Sequence, residues 1–151
     1  MNASWQRYGT FIARLALAAI FIHSGFGKLT GLEATAGFIA SKGLPAPMAL
    51  AAMAGALELI GGLALVAGLG TRWAALALAL FLVPTTFLFH NPSGLEGAAA
   101  QMQMIQVYKN LAIIGGLLSL ASWGAGSLSL DARLNRPVEA PAEPVTARRA
   151  A

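Results

Sequence analysis

Residues 48–68 read MALAAMAGALELIGGLALVAG, a run of apolar and small residues interrupted by one acid, Glu58. A hydrocarbon core about 30 Å thick is crossed by roughly 20 helical residues at about 1.5 Å each. This run is long enough, and so are Tyr8 to Gly27, Trp73 to Phe89 and Val107 to Trp123. Interior Gly and Pro do not veto these spans, because membrane helices find other partners for freed backbone groups. The expectation is all-α: a four-transmembrane-helix bundle embedded in a lipid bilayer.

Charge agrees with this reading. Only 11% of the 151 residues are charged, against about a quarter in soluble domains, and mean hydropathy is +0.67. The chain has no Cys, which excludes structural disulfides, CxxC redox chemistry and thiolate metal sites. A sequence pI near 10.1 raises the question of nucleic acid. The basic residues, however, sit at span ends and in the tail, where membrane orientation explains them and no nucleic-acid partner is needed.

An even number of spans puts both termini on one side. With the N-terminus in the cytoplasm, that side carries Arg7, Arg14, Arg72, Arg133, Arg136, Arg148 and Arg149, and the other carries Lys28, Lys42 and Lys109. Seven against three predicts an N-in, C-in topology. Ala34–Thr35–Ala36 looks like a signal-peptide cleavage site, but it lies beyond the first apolar run, past Lys28 and Glu33. The first span is therefore expected to stay attached.

The outer loop Thr30 to Pro47 is expected to form a short interfacial helix, and GLGTR is a tight link between antiparallel spans 2 and 3. The loop before span 4, HNPSGLEGAAAQMQMIQ, is expected to wind into that helix early. Residues 1–131 are read as one membrane domain. Residues 132–151 are read as a disordered cytoplasmic tail, from the Pro, Ala and charge of NRPVEAPAEPVTARRAA. No internal repeat supports an inverted-repeat transporter.

An acid inside the bilayer is costly and marks a functional or pairing position. At helical spacing Glu58 has Ala51, Ala54, Gly55, Gly61 and Gly62 as neighbours, while Met53, Leu57, Leu59, Ile60 and Leu63 take the other faces. Small residues let membrane helices approach closely, so Glu58 is expected to face the bundle interior. Counted along the helices, it lies roughly 15 Å from the cytoplasmic boundary, Arg14 roughly 9 Å and Lys109 roughly 20 Å. Long basic side chains snorkel, which makes Arg14 and Lys109 the two expected partners.

A second polar cluster lies nearer the outer face. Span 1 ends in HSGFGKL with His23, Ser24 and Lys28, and span 3 ends in FHN with His90. Span 4 opens with QMQMIQVYKN, where Gln103, Gln106 and Asn110 share a face beside Tyr108 and Lys109. The picture is a polar pocket opening outward, with Glu58 as its floor. Plainer readings stand beside it. Glu58 and Arg14 can be an ion pair that only fixes packing, Lys28 an interfacial anchor, and the histidines interfacial polar groups. Two histidines without motif spacing do not argue for haem. Arg72 reads as a topology determinant, and Pro84-Thr85-Thr86 as a kink whose freed carbonyl meets a Thr hydroxyl.

With these residues assembled, the chain resembles the DoxX family of four-helix membrane proteins from Arg14 to Asp131. The resemblance rests on Arg14 followed by SGFGKL, then ALELIGGLALVAGLGTRWAAL, FHN, YKNLAIIGGLL and the closing GAGSLSLD. It implies a multi-pass protein of the bacterial plasma (inner) membrane. The family's namesake is described as a small subunit of a terminal quinol oxidase. Other members look like parts of oxidoreductase assemblies concerned with thiol or oxidative stress, and many have no assigned activity. The recurrent polar positions carried over are Arg14, Gly25, Lys28, Glu58, Arg72, His90, Lys109, Asn110 and Asp131. They name positions, with Arg72 and Asp131 at the cytoplasmic end, and not a reaction.

Three functions follow as expectations. The first is a redox-associated subunit whose pocket holds a quinone head group. Lys109, Asn110 and His90 would donate to its carbonyl oxygens and Glu58 would accept a proton. No haem, copper or other metal motif is present, so oxygen reduction and thiol chemistry would belong to partner subunits. The second is a structural or assembly subunit whose small-residue faces dock a partner or a second copy as a homo-oligomer. The third is a small-solute or proton pathway, disfavoured by four helices without a repeat. Whether the chain is an enzyme is left open.

Overall fold

The structure, a computed structural model, describes residues 3–135. Its helices are α1 (Ala3–Thr30), α2 (Leu32–Ser41), α3 (Pro47–Ala67), α4 (Thr71–Phe89), α5 (Gly97–Trp123) and α6 (Leu130–Leu134). Four of them, α1, α3, α4 and α5, are long and apolar enough to cross a membrane. The expected interfacial helix is α2. The helix of the fourth span starts at Gly97, well before Val107, so the loop that precedes that span does wind into it. Residues 132–134, expected in the tail, complete α6. The rest of the tail, with Arg136, Arg148 and Arg149, lies outside the described residues.

Local sequence sets the ends of these helices. Pro47 starts α3, where its fixed φ suits the first helical turn and its missing N–H costs nothing. At the other end Gly68 turns left-handed, with φ 66°. Its N–H reaches the Leu65 carbonyl and that of Leu69 the Ala64 carbonyl, the paired bonds that close a helix in a Schellman turn. Position 68 is constrained twice, because a Cβ there would lie 2.5 Å from the Ser129 Cβ.

Packing pairs α1 with α3 and α4 with α5, joined through α3 against α4, while α1 and α5 touch only lightly. The small residues of α3 act as expected. Gly55 and Gly62 face α1 and Gly61 faces Leu78 of α4. The closest approach is at Gly25, where a Cβ would come 2.5 Å from the Leu59 nitrogen and 2.7 Å from the Gly55 carbonyl oxygen. Phe21, Leu65, Leu78, Leu82, Leu117 and Leu120 fill the core between the pairs. Met53, Ile60 and Leu63 point outward from α3, as lipid-facing residues should. Trp5, Tyr8, Trp73 and Trp123 are exposed toward the end that carries the start of α1 and α6, in the manner of an interfacial aromatic belt.

Helix α4 continues through Pro84. The proline withholds its N–H from Leu80, yet the neighbouring hydroxyls bond elsewhere. Thr85 donates to the Phe81 and Leu82 carbonyls, and Thr86 to that of Leu82. The expected rescue of the freed carbonyl is therefore displaced by a residue or two.

Candidate functional site

Five helices surround a cavity of about 280 Å³ in the half of the bundle that carries α2. Helix α1 contributes Ser24 and Lys28, α3 contributes Glu58, α4 contributes His90, and α5 contributes Lys109 and Asn110. Between these polar groups the wall is apolar and aromatic, including Phe38 and Phe89, whose ring centroids lie 5.4 Å apart. The α2 residues Thr35, Phe38 and Ile39 complete the wall from one helix face.

Glu58 is buried, 5% exposed, and its partner is Lys28, with Nζ 2.7 Å from Oε2. The ammonium also donates to the Ser24 hydroxyl at 2.5 Å. Neither expected partner is used. The Arg14 guanidinium donates to the carbonyls of Ala125 at 2.5 Å, Leu128 at 2.8 Å and Val66 at 3.3 Å, at the opposite end. Lys109 turns to Gln106 on its own helix.

Geometry explains the choice of Lys28. Gly25 brings the last turns of α1 against α3, and the Lys28 Cβ lies over Gly55. Side chains on a helix lean toward its N-terminus. In this antiparallel pair, Lys28 leans inward along α1 while Glu58 leans outward along α3, so the two converge. The spacing of Gly25 and Lys28, three residues apart on one face, was the readable clue.

The other expected residues divide. His90 Nδ1 lies 3.1 Å from Gln103 Oε1. Asn110 is buried and donates to Thr86 Oγ1 at 2.9 Å, and the Thr86 hydroxyl in turn donates a hydrogen bond to the Leu82 carbonyl. Thr86, Thr35 and the two phenylalanines were not anticipated as site residues. His23 is exposed on α1 and does not line the cavity, because it falls on a different face from Ser24 and Lys28. It therefore does not join His90, and Arg14 does not join the cluster either.

Arg14 belongs to a separate clasp at the terminal end. Asp131 accepts from the backbone N–H groups of Gly70 at 2.7 Å and Thr71 at 3.0 Å, and its own N–H reaches the Gly68 carbonyl. Burial pushes the Asp131 carboxyl up, but those N–H groups and the Arg14 charge outweigh it and hold the group below the usual carboxylate range. Arg72 is exposed at the same end, near Gly124. These contacts tie GLGTR to GAGSLSLD and close the bundle.

Comparison with known proteins agrees with this architecture. The DoxX family model matches residues 9–91. Inner membrane protein YqjF of Escherichia coli is 40% identical over 128 residues, covering 85% of this chain and 93% of its own length. Inner membrane protein YphA of Escherichia coli is 37% identical over 122 residues, 81% of this chain and 87% of its own. No solved structure matches significantly.

Proposed function

The chain belongs to the DoxX family of integral inner-membrane proteins, and on that premise we propose that its cavity binds the polar head of a small, apolar-bodied molecule of the quinone class, within a redox-associated membrane assembly. One observation carries this reading: Lys28–Glu58, His90, Lys109 and Asn110 converge on one cavity whose remaining walls are aromatic and apolar. Sites for small molecules combine an apolar lining with a few placed polar groups in this way. At about 280 Å³ the space suits a single ring and not a macrocycle.

The chemistry assigned to each group is modest. Lys109 and Asn110 supply donors for carbonyl oxygens. Phe38 and Phe89 offer faces to a planar ring. Glu58, held by Lys28, accepts a proton released by the ligand on its oxidation and returns one to it on its reduction. Electrons would come from a partner, since a chain without cysteine carries no thiol couple. In the same proposal, the end bearing the start of α1 and α6 faces the cytoplasm, following the distribution of basic residues.

Native mass spectrometry of protein extracted gently from its own membrane tests the binding role. The expected result is a stoichiometric small molecule on the wild type that is lost in a folded Glu58→Gln variant. A bare chain would overturn the proposal. A chain bound only to other subunits would move the assignment to the assembly reading. That second reading has its own support, because the Arg14 clasp holds segments of the bundle together and lines no part of this cavity.

A further inference from the structure

A second cavity, of about 590 Å³, lies at the end of the bundle that carries the start of α1 and α6, apart from the site above. Arg7, Arg14 and Arg133 line it, and no acidic side chain among the described residues does. Arg7 and Arg14 are two turns apart on α1, and Arg133 comes from α6. Arg14 is pinned by its three carbonyls and shares its charge with Asp131, which leaves Arg7 and Arg133, both exposed and without an acidic partner among the described residues, as the cations of the mouth.

The rest of the lining is apolar, with Phe11, Val66, Leu128 and Leu130. Leu130 and Leu134 of α6 are 40% and 73% exposed, and Trp5 and Tyr8 flank the same end. A charged mouth with apolar walls at the depth of an aromatic belt matches a molecule with a phosphate above and hydrocarbon below. Basic pockets between membrane helices hold anionic headgroups in this manner. Arginine suits the task, because its planar fork pairs two phosphate oxygens at once.

We propose that this cavity is a binding site for an anionic phospholipid, with Arg7 and Arg133 on the headgroup phosphate and Phe11, Val66, Leu128 and Leu130 against the first carbons of the acyl chains. The apolar rim selects a lipid over a free phosphate ester. The site is independent of the quinone-class reading, and either can stand without the other.

The test titrates the full chain in neutral detergent with phosphatidylglycerol, with phosphatidylcholine of the same acyl chains, and with glycerol phosphate, scoring bound lipid by native mass spectrometry. The wild type is expected to prefer phosphatidylglycerol, with glycerol phosphate unable to displace it. Arg7→Gln/Arg133→Gln should weaken phosphatidylglycerol binding by roughly 25-fold, about fivefold for each basic residue beside an anionic surface. Both positions are exposed, so the variant keeps its fold. Arg72→Gln, at the same end but lining a different cavity, should leave the preference unchanged. Equal binding of the two lipids, an unaffected double variant, displacement by glycerol phosphate, or an equal loss in Arg72→Gln would each overturn the proposal.

Discussion

Lys28 and Glu58 form an ion pair across the α1–α3 contact, 2.7 Å apart, where the two backbones are closest at Gly25 and Gly55. The pair is unequal. The Glu58 side chain is 7% exposed and that of Lys28 29%, so the acid is held inside while the base reaches it from the cavity edge. A buried pair of this kind is worth less than it costs to break, because either partner alone is left as an uncompensated charge.

Lys28→Met should therefore destabilise the protein by about 3 kcal/mol, the lower end of the cost of orphaning a buried ion, since Lys28 keeps some exposure. Lys28→Met/Glu58→Leu should recover most of that loss. Reversible unfolding in mixed micelles measures both. A double variant no better than the single one would show that the pair contributes more than mutual neutralisation.

Gly25→Ala should cost about 1–3 kcal/mol, because the added methyl meets backbone and not a movable side chain. Gly27→Ala, with nothing within 4 Å, should change stability by no more than about 0.5 kcal/mol. The same unfolding assay compares them, and equal effects would refute the close contact.

Asp131 links stability to pH. Its carboxyl is held below the usual range by the Thr71 and Gly70 N–H groups and Arg14, against the opposing push of burial. A group whose folded value is depressed adds stability above its unfolded value, about 3.9, and loses it as pH falls through the folded value. Asp131→Asn should thus be less stable than wild type by about 1 kcal/mol at pH near 7. The gap should close only as the wild type is acidified below about pH 3.9. Unfolding curves across that range decide it.

Arg14→Lys should not substitute. Three carbonyls from two separate segments, α3 and the α5–α6 connection, match a guanidinium fork, and one ammonium cannot span them. The expected loss is about 2 kcal/mol or more. Ligand occupancy of the α2-side cavity, read by native mass spectrometry, should be unchanged in the fraction that remains folded. A parallel loss of occupancy would tie the two ends together.

Orientation is directly accessible because the chain has no Cys of its own. Ser93→Cys, in the exposed α4–α5 connection, should react with an impermeant maleimide in intact cells. Ser127→Cys, at the terminal end, should react only after lysis. The reverse pattern would invert the topology.

The spans were legible because length and apolarity alone decide them in a bilayer. Glu58's inward face was legible too, since Gly55, Gly61 and Gly62 at helical spacing mark the tight side of α3. Its partner was not. Counting rise per residue ranks Arg14 and Lys109 by depth, but the pairing depends on which way side chains lean and on the Gly25 contact. Arg14 was misread for a different reason: its acceptors are main-chain carbonyls, and any residue type could have supplied them. The α2 wall escaped notice because Thr35, Phe38 and Ile39 read as ordinary interfacial residues until the helix folds over the cavity.

The Arg14 contacts also set an order of events. The guanidinium waits for carbonyls 111 and 114 residues downstream. Translation at about 5–20 residues per second puts that delay on the order of ten seconds. Until those carbonyls are made, the first helix of the nascent chain carries a charge that the bilayer disfavours, with the Val66 carbonyl alone among its three acceptors already synthesised. Only when Leu128 has been made can the oldest part of the chain be latched by the newest. An unfinished polypeptide is thus chemically distinguishable from a completed one at its first helix, by a guanidinium whose set of carbonyl acceptors is incomplete.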